Sequence, residues 1–157
     1  MNRLKFLNAI ANEYGLILKT EETSAVLTDP RTGCFIEIHE DRYGNFNAKD
    51  RSYQILYTEY IVCFSTQHLH LEDPDDAEDY IRTILTDKVL PLEFYRNGER
   101  RFGGELKREE LALLSVDFLA KKYNVTANDL QQYEYEIHSW SGKYDSGRKR
   151  VADLKAF

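Results

Sequence analysis

The chain of 157 residues has few cysteines and no long apolar run. Its two cysteines, Cys34 and Cys63, both lie in apolar segments typical of strands, which favours buried reduced thiols over a secreted disulfide framework. No stretch approaches the roughly 18 consecutive apolar residues that a membrane-spanning helix needs. The first residues also lack the uninterrupted apolar core of a signal peptide. These absences predict a cytoplasmic protein that makes no membrane contact.

The sequence also lacks the short motifs of the common enzyme classes. No G-x-S-x-G elbow, H-E-x-x-H motif, P-loop or dinucleotide-binding glycine pattern occurs. Paired carboxylates for glycosidic chemistry could be drawn from many acidic residues, but that chemistry depends on their separation in space. Without a nucleophile, base and oxyanion donor at recognisable spacing, we predict a protein that is not an enzyme and needs no cofactor.

Apolar and charged residues are present in the proportions of a folded domain, at 42% and 31% of the chain. The formal net charge is -6, yet basic residues outnumber acidic ones from Trp140 onward. An acidic body disfavours nucleic acid and favours a basic protein partner. We therefore predict one domain over residues 1–140, followed by a basic C-terminal tail over residues 141–157 that we expect to be flexible.

Hydrophobic periodicity predicts an α+β fold. Apolar residues at helical spacing follow Asn2, a residue that can cap a helix, and stop at Gly15. Runs typical of strands then extend from Leu16 to Thr66, with one turn expected over Asp41–Asn45, and predict an antiparallel meander of about five or six strands. Asp73-Pro74 indicates a helix start. Two or three helices are expected to cover one face of the sheet.

The second half of the chain carries weaker signals. Asn97-Gly98 is typical of a hairpin turn, but Arg100–Gly104 makes a poor return strand, so we predict a mobile basic loop there. The spacing of apolar residues predicts the longest helix over Glu105–Tyr123. Residues 126–140 fit either a short helix or a strand, and periodicity leaves both open.

The segment 72–79 contains six acidic residues. Asp73 can cap the helix, and negative charge in the first turns complements the helix dipole, so part of this acidity is structural. The segment lacks the glycine and the final glutamate of an EF-hand loop. Because six acids exceed what capping requires, and exposed tyrosines are frequent at binding sites, we predict a surface for a basic protein partner formed by Glu72, Asp73, Asp75, Asp76, Asp79, Tyr57 and Tyr60.

His68 and His70 lie two residues apart, which places both on one face if the segment is a strand. Zinc needs three or four convergent ligands, and the nearby Cys63 belongs to an apolar strand, so we predict no bound metal. The pair remains the candidate site of one alternative function, a metal-dependent enzyme. A second alternative is a nucleic-acid-associated regulator that uses the basic tail, for example Ser146–Arg150.

Four local features follow one another in the first part of the chain. They are a helix ending in Glu13-Tyr14-Gly15, hairpins carrying Asp29-Pro30 and Gly33, the strand Phe35-Ile36-Glu37-Ile38, and an acidic helix Ala77-Glu78-Asp79-Tyr80-Ile81. This order resembles that of small immunity proteins of bacterial polymorphic-toxin systems, over roughly residues 1–100. The resemblance implies a cytoplasmic, non-enzymatic protein that binds and blocks a cognate toxin domain. The helix predicted over 105–123 and the basic tail have no counterpart in it.

Overall fold

The computed structural model describes residues 5–154. These residues form two compact units. The first unit contains residues 5–64 together with His68–Arg82, and the second contains Ser65–Gln67 and residues 83–154. Antiparallel sheets of five and four strands, together with several helices, confirm the predicted α+β class. No helix within residues 5–154 is long and apolar enough to cross a membrane.

The first five strands form a meander, because their order in the sheet is their order along the chain. The elements are α1 (Phe6–Tyr14), β1 (Ile17–Thr20), β2 (Ser24–Thr28), β3 (Phe35–Asn47), β4 (Ser52–Phe64), β5 (Gln67–Leu71) and α2 (Pro74–Leu85). Gly15 ends α1 in the left-handed conformation, at φ 66°, as its position predicts. Asn2, the predicted helix cap, lies outside the described residues.

The core of the first unit takes alternate residues from the strands and one stripe from each helix. Val62 pairs with Ile38 across β3 and β4, and both side chains are fully buried. Helix α1 buries Leu7 and Ile10, three residues apart on one helical face. The start of α2 is the predicted one, because Asp73 Oδ1 accepts a hydrogen bond from the backbone N–H of Asp75 at 2.7 Å.

The predicted turn over Asp41–Asn45 is wrong, because these residues continue β3. The strand runs without a break to Asn47 and pairs with β4 as far as Ser52, with one bulge in the register between Tyr43 and Gly44. A Cβ atom on Gly44 would lie 1.9 Å from the carbonyl oxygen of Gln54. Gly44 therefore allows two backbones to approach closely and does not mark a reversal of the chain.

The second unit contains a sheet of four strands. Its elements are β6 (Val89–Arg96), β7 (Glu99–Lys107), a 3₁₀ segment (Arg108–Leu113), α3 (Val116–Tyr123), α4 (Ala127–Leu130), β8 (Glu134–Ile137), β9 (Lys149–Arg150) and a 3₁₀ turn (Val151–Asp153). The strand order is β7-β6-β8-β9. Strand β6 is buried on both faces at its centre, and Leu90, Leu92 and Phe94 form a core cluster with Leu106 and Leu119.

Two predictions for this unit are wrong and one ambiguity is resolved. Arg100–Gly104 is not a mobile loop, because it pairs with β6, although Asn97 and Gly98 form the expected turn with positive φ angles. The helix predicted over Glu105–Tyr123 is interrupted: its first residues belong to β7, and α3 begins only after Ser115. The ambiguous residues 126–140 contain both candidates, α4 and β8.

Part of the predicted tail is integrated into this unit. Lys149 and Arg150 pair with Tyr135 and Glu134 of β8, and Val151 is fully buried. The last residues of the tail, including the basic Lys155, lie outside the described residues. The predicted division into residues 1–140 and 141–157 stays a prediction.

A buried ion pair stabilises the β6–β7 hairpin. The carboxylate of Glu93 is fully buried and accepts hydrogen bonds from Arg100 Nε and, at 2.8 Å, from Gln67 Nε2. A Cβ atom on Gly103 would lie 2.5 Å from that Gln67 nitrogen, so this glycine leaves room for the three polar side chains. A buried carboxylate needs such partners because its removal from water is costly.

Candidate protein-binding surface on the β3–β4 ribbon

The outer part of the β3–β4 hairpin, residues 41–57, is a two-stranded ribbon. Strand β2 begins at Ser24, whose partner is His39, so β2 does not flank β3 in the ribbon. Strand β5, the neighbour of β4, has only five residues after the turn that follows Phe64, so it reaches back along β4 only to about Tyr60. All residues of the ribbon are exposed except Gly44, which is half-buried. This ribbon therefore presents side chains to solvent from both of its strands.

Large apolar side chains are concentrated on the ribbon. Their exposed fractions run from 38% for Tyr43 to 63% for Phe46. Single exposed apolar residues are ordinary, whereas a group of them marks an interaction site or an aggregation hazard. The ribbon apolar group consists of Tyr43, Phe46, Tyr53, Ile55, Leu56 and Tyr57.

The strand register divides this group between the two faces of the ribbon. Phe46 pairs with Tyr53, and Ile55 lies two residues farther along β4 on that same face. Tyr43 pairs with Tyr57 on the opposite face, because Tyr43 and Phe46 are an odd number of residues apart on β3. The Tyr43 and Tyr57 rings stack, with centroids 4.7 Å apart and planes 17° apart. Apolar contacts are thus available on both faces.

A polar network continues from this tyrosine pair toward β5. The hydroxyl of Tyr43 donates to Glu59 Oε2 at 3.1 Å, and Glu59 Oε1 lies 2.9 Å from Nδ1 of His70. His68 contacts His70 edge to face, with ring centroids 5.3 Å apart. The hydrogen bond to Glu59 raises the pKa of Tyr43, since ionising the phenol would remove the donor. We call Tyr43, Tyr57, Glu59, His68 and His70 the outer-face cluster.

The structure separates the residues that the sequence predicts for partner binding. Tyr57 is exposed on the ribbon, whereas Tyr60 is only 3% exposed and offers almost no surface to a partner. Asp73 caps α2, and the exposed acids of this segment are Glu72, Asp73, Asp75, Asp76 and Asp79. Within residues 5–154 no hydrogen bond, ion pair or ring contact joins these acids to the outer-face cluster.

The structure brings together Tyr57 and the two histidines, for which the sequence predicts different functions. Tyr43 and Glu59 make the connection, and neither is among the site residues predicted from the sequence. Phe46, Ile55 and Leu56 are likewise absent from the site residues predicted from the sequence. A usable signal is present in the run from Tyr53 to Tyr57, because apolar side chains occupy both alternating sets of positions there. A strand with one solvated face would show apolar residues in one set only.

The remaining candidate ligands do not form a metal site of three or more side chains. No such group of His, Cys, Asp or Glu occurs in the part of the chain that the structure describes. Cys34 and Cys63 are free, and both are half-buried. Burial raises the pKa of the Cys63 thiol, which lowers the fraction of reactive thiolate at neutral pH.

No protein-family model matches this chain, and neither a curated protein nor a solved structure matches it. The resemblance to immunity proteins accordingly stays a prediction from the order of elements.

Proposed function

We propose that this chain is a cytoplasmic protein-binding inhibitor, similar to an immunity protein, which occludes a cognate toxin domain with the β3–β4 ribbon. The observation that carries the proposal is the ribbon apolar group, whose side chains remain exposed while the core residues of the same strands are buried. Tyrosine and other aromatic residues are enriched at binding hot spots because they supply a large contact area with few rotatable bonds.

The shape of the ribbon suits insertion into a cleft. At about 3.3 Å per residue, the β3 segment from Asp41 to Asn47 is about 20 Å long. Such a length can reach the base of an enzyme active site, and both faces of the ribbon carry apolar side chains that can contact the walls. Occlusion of the cleft would then inhibit the toxin without any chemistry by this chain.

The acidic residues of α2 have a separate role in this proposal. Asp75, Asp76 and Asp79 are exposed and lie close together along the first turns of the helix. Negative charge on this helix would raise the rate of encounter with a basic toxin, while the ribbon would supply the contacts that slow dissociation. Neutralising these acids should therefore reduce the association rate and its dependence on salt.

The proposal predicts that a gene beside this one encodes a large secreted protein with a C-terminal toxin domain. The experiment expresses that domain in a growth assay and purifies it for titration. Co-expression of this chain should restore growth. The double variant Phe46→Ser/Tyr53→Ser should protect poorly and bind at least about tenfold more weakly, the loss expected from removing one hot spot. Phe35→Ser is the matched control, because Phe35 is an exposed aromatic residue on the same strand outside the ribbon.

Two results would contradict the proposal. Absence of any protection by the intact chain would remove the inhibitor function. Protection that Phe46→Ser/Tyr53→Ser leaves unchanged, or that Phe35→Ser reduces equally, would remove the ribbon as the contact surface. Circular dichroism and thermal unfolding of each variant establish that the fold is intact, as expected for exposed positions.

The basic tail gives less support to a nucleic-acid function. The guanidinium carbon of Arg148 lies 3.6 Å from the centroid of the Tyr95 ring, so part of the basic charge of the tail packs within the second unit. The nucleic-acid alternative stays a prediction. A salt-sensitive shift with DNA or RNA that disappears on deletion of residues 143–157 would support it.

A further inference from the structure

The two histidines of β5 have the spacing of a chelating pair. His68 and His70 occupy alternate positions of one strand, so both side chains project from the same face. Both residues are exposed, and their imidazole rings meet edge to face with an interplanar angle of 69°. Solvent and solutes can therefore reach both rings.

The distance between the rings matches that of two imidazoles bound to one ion. A zinc–nitrogen bond of about 2.0–2.1 Å and a tetrahedral angle place the centroids of two coordinated rings about 5 Å apart. The centroids of His68 and His70 are 5.3 Å apart. The separation of the two rings is therefore compatible with both imidazoles binding one ion.

Glu59 orients one of the two rings. Its Oε1 atom lies 2.9 Å from Nδ1 of His70, and the side chain of Glu59 is only 20% exposed. A carboxylate that accepts from one ring nitrogen holds the tautomer in which the other nitrogen, Nε2, has a free lone pair, and such partners recur behind metal-binding histidines. The Tyr43 hydroxyl holds the second oxygen of Glu59 at 3.1 Å, so the carboxylate is itself fixed in position.

We propose, contrary to the expectation from the sequence that no metal is bound, that His68 and His70 chelate one divalent transition-metal ion through their Nε2 atoms, with Glu59 as the positioning residue for His70. Imidazole favours Zn²⁺, Ni²⁺ and Cu²⁺ over Mg²⁺ and Ca²⁺, which prefer oxygen. The described residues offer no third side-chain ligand, so water or a side chain of another protein completes the coordination. The site does not depend on the inhibitor function proposed above.

The experiment is calorimetric titration of the untagged full chain with ZnCl₂, repeated with MgCl₂. We expect one Zn²⁺ site per chain and no competition by Mg²⁺. Replacing either histidine, as His68→Asn or His70→Asn, should weaken Zn²⁺ binding at least about tenfold, because each variant converts a chelate into a single contact. Glu59→Gln should weaken binding by about 10-fold, at the lower end of the range for residues that orient a ligand.

The chain provides matched controls. It contains four histidines, and His138 also lies near a carboxylate, with 3.8 Å from its Nε2 to Glu136 Oε2. The variants His39→Asn and His138→Asn should leave Zn²⁺ binding unchanged. No Zn²⁺ binding by the intact chain, unchanged binding in the double variant His68→Asn/His70→Asn, or equal losses in the two control variants would overturn the proposal. Broadening of NMR signals by Ni²⁺, confined to residues around β5, is an independent readout of the same site.

Discussion

Tyr43 and Tyr57 face each other directly across β3 and β4, and their rings stack with centroids 4.7 Å apart. The pair lies in the exposed ribbon, so neither ring contributes to the core of the unit. Tyr43 also donates its hydroxyl to Glu59, which connects the ribbon to the neighbouring histidines. One cross-strand pair thus joins the proposed partner-binding ribbon to the proposed metal site.

A double-mutant cycle measures how strongly the two rings are coupled. We expect Tyr43→Ala and Tyr57→Ala to show a coupling free energy of about 0.2–1 kcal/mol in urea unfolding, typical of a cross-strand pair. Tyr43→Ala combined with Tyr53→Ala is the control, because Tyr53 lies on the opposite face. Tyr43→Phe keeps the stacked ring and isolates the hydrogen bond to Glu59. Equal coupling in both cycles would mean that ring contact does not stabilise the ribbon.

Gly44 is required for the close approach of the two ribbon strands. In Gly44→Ala the new methyl group would meet the Gln54 carbonyl oxygen at 1.9 Å, so the strands must separate locally. We expect a loss of about 1–3 kcal/mol, the usual range for overpacking, together with faster hydrogen exchange of the ribbon amides. The neighbouring exposed substitution Asn45→Ala should change stability by less than about 0.5 kcal/mol. Unaltered exchange in Gly44→Ala would contradict the bulged register.

The buried ion pair of the second unit should be sensitive to loss of its arginine. Arg100→Leu leaves the fully buried Glu93 carboxylate without its charged partner. We expect a loss of about 2 kcal/mol in urea unfolding, less than the 3–5 kcal/mol of a fully buried pair, because Arg100 is 41% exposed. Arg101→Leu is the matched control, since Arg101 pairs with the exposed Glu99 at 3.0 Å and should contribute about 0–1 kcal/mol. Equal losses would argue against a special role for Glu93.

The hydroxyl of Tyr123 is buried and has no hydrogen-bond partner within residues 5–154. Removing it in Tyr123→Phe should stabilise the protein by about 1 kcal/mol, because the cost of burying an unpaired hydroxyl disappears. Tyr133→Phe is the control, because Tyr133 contacts the same Phe102 ring. A clear loss of stability in Tyr123→Phe would show that this hydroxyl has a partner.

The same tyrosine predicts a dependence on alkaline pH. Burial raises the pKa of Tyr123 in the folded protein, so its phenol stays neutral there after the phenol of the unfolded chain has begun to ionise. The contribution of this tyrosine to the free energy of unfolding is fully present below about pH 10, the pKa of tyrosine in the unfolded chain. It is lost as the pH rises beyond that value, because the unfolded chain then releases the proton that the folded protein retains. The stability difference between Tyr123→Phe and the unaltered protein should therefore grow between about pH 10 and pH 11. A constant difference over that interval would contradict the raised pKa.

Short-range chemistry makes several elements predictable from the sequence. Gly15 ends α1, Asp73-Pro74 begins α2, and Asn97-Gly98 forms a hairpin turn, as each local pattern predicts. These signals depend only on backbone conformations and on groups a few residues apart. Alternation within β2 and β3 likewise predicts the antiparallel meander, because one face of each strand is apolar.

Glycine illustrates what the sequence leaves undecided. Local patterns predict a turn at Gly44 and a loop at Gly103 and Gly104, yet all three residues lie in strands. Glycine is favoured in turns that need a positive φ angle, and also in strands where another group approaches the backbone closely. The local sequence is similar in the two cases, and only the position of the approaching group distinguishes them. For Gly104 that group is the ring of Tyr123, which is distant in the sequence. A Cβ atom on Gly104 would lie 2.5 Å from this ring, a contact beyond the reach of any local pattern.

The candidate surface depends on tertiary structure in the same way. The sequence by itself determined that Tyr57 is aromatic, that His68 and His70 alternate, and that acids precede α2. It did not determine where β2 begins, and that boundary decides which part of the long hairpin is covered. Burial is a property of the assembled sheet, so similar patterns of apolar residues become core in one half of β4 and exposed ribbon in the other.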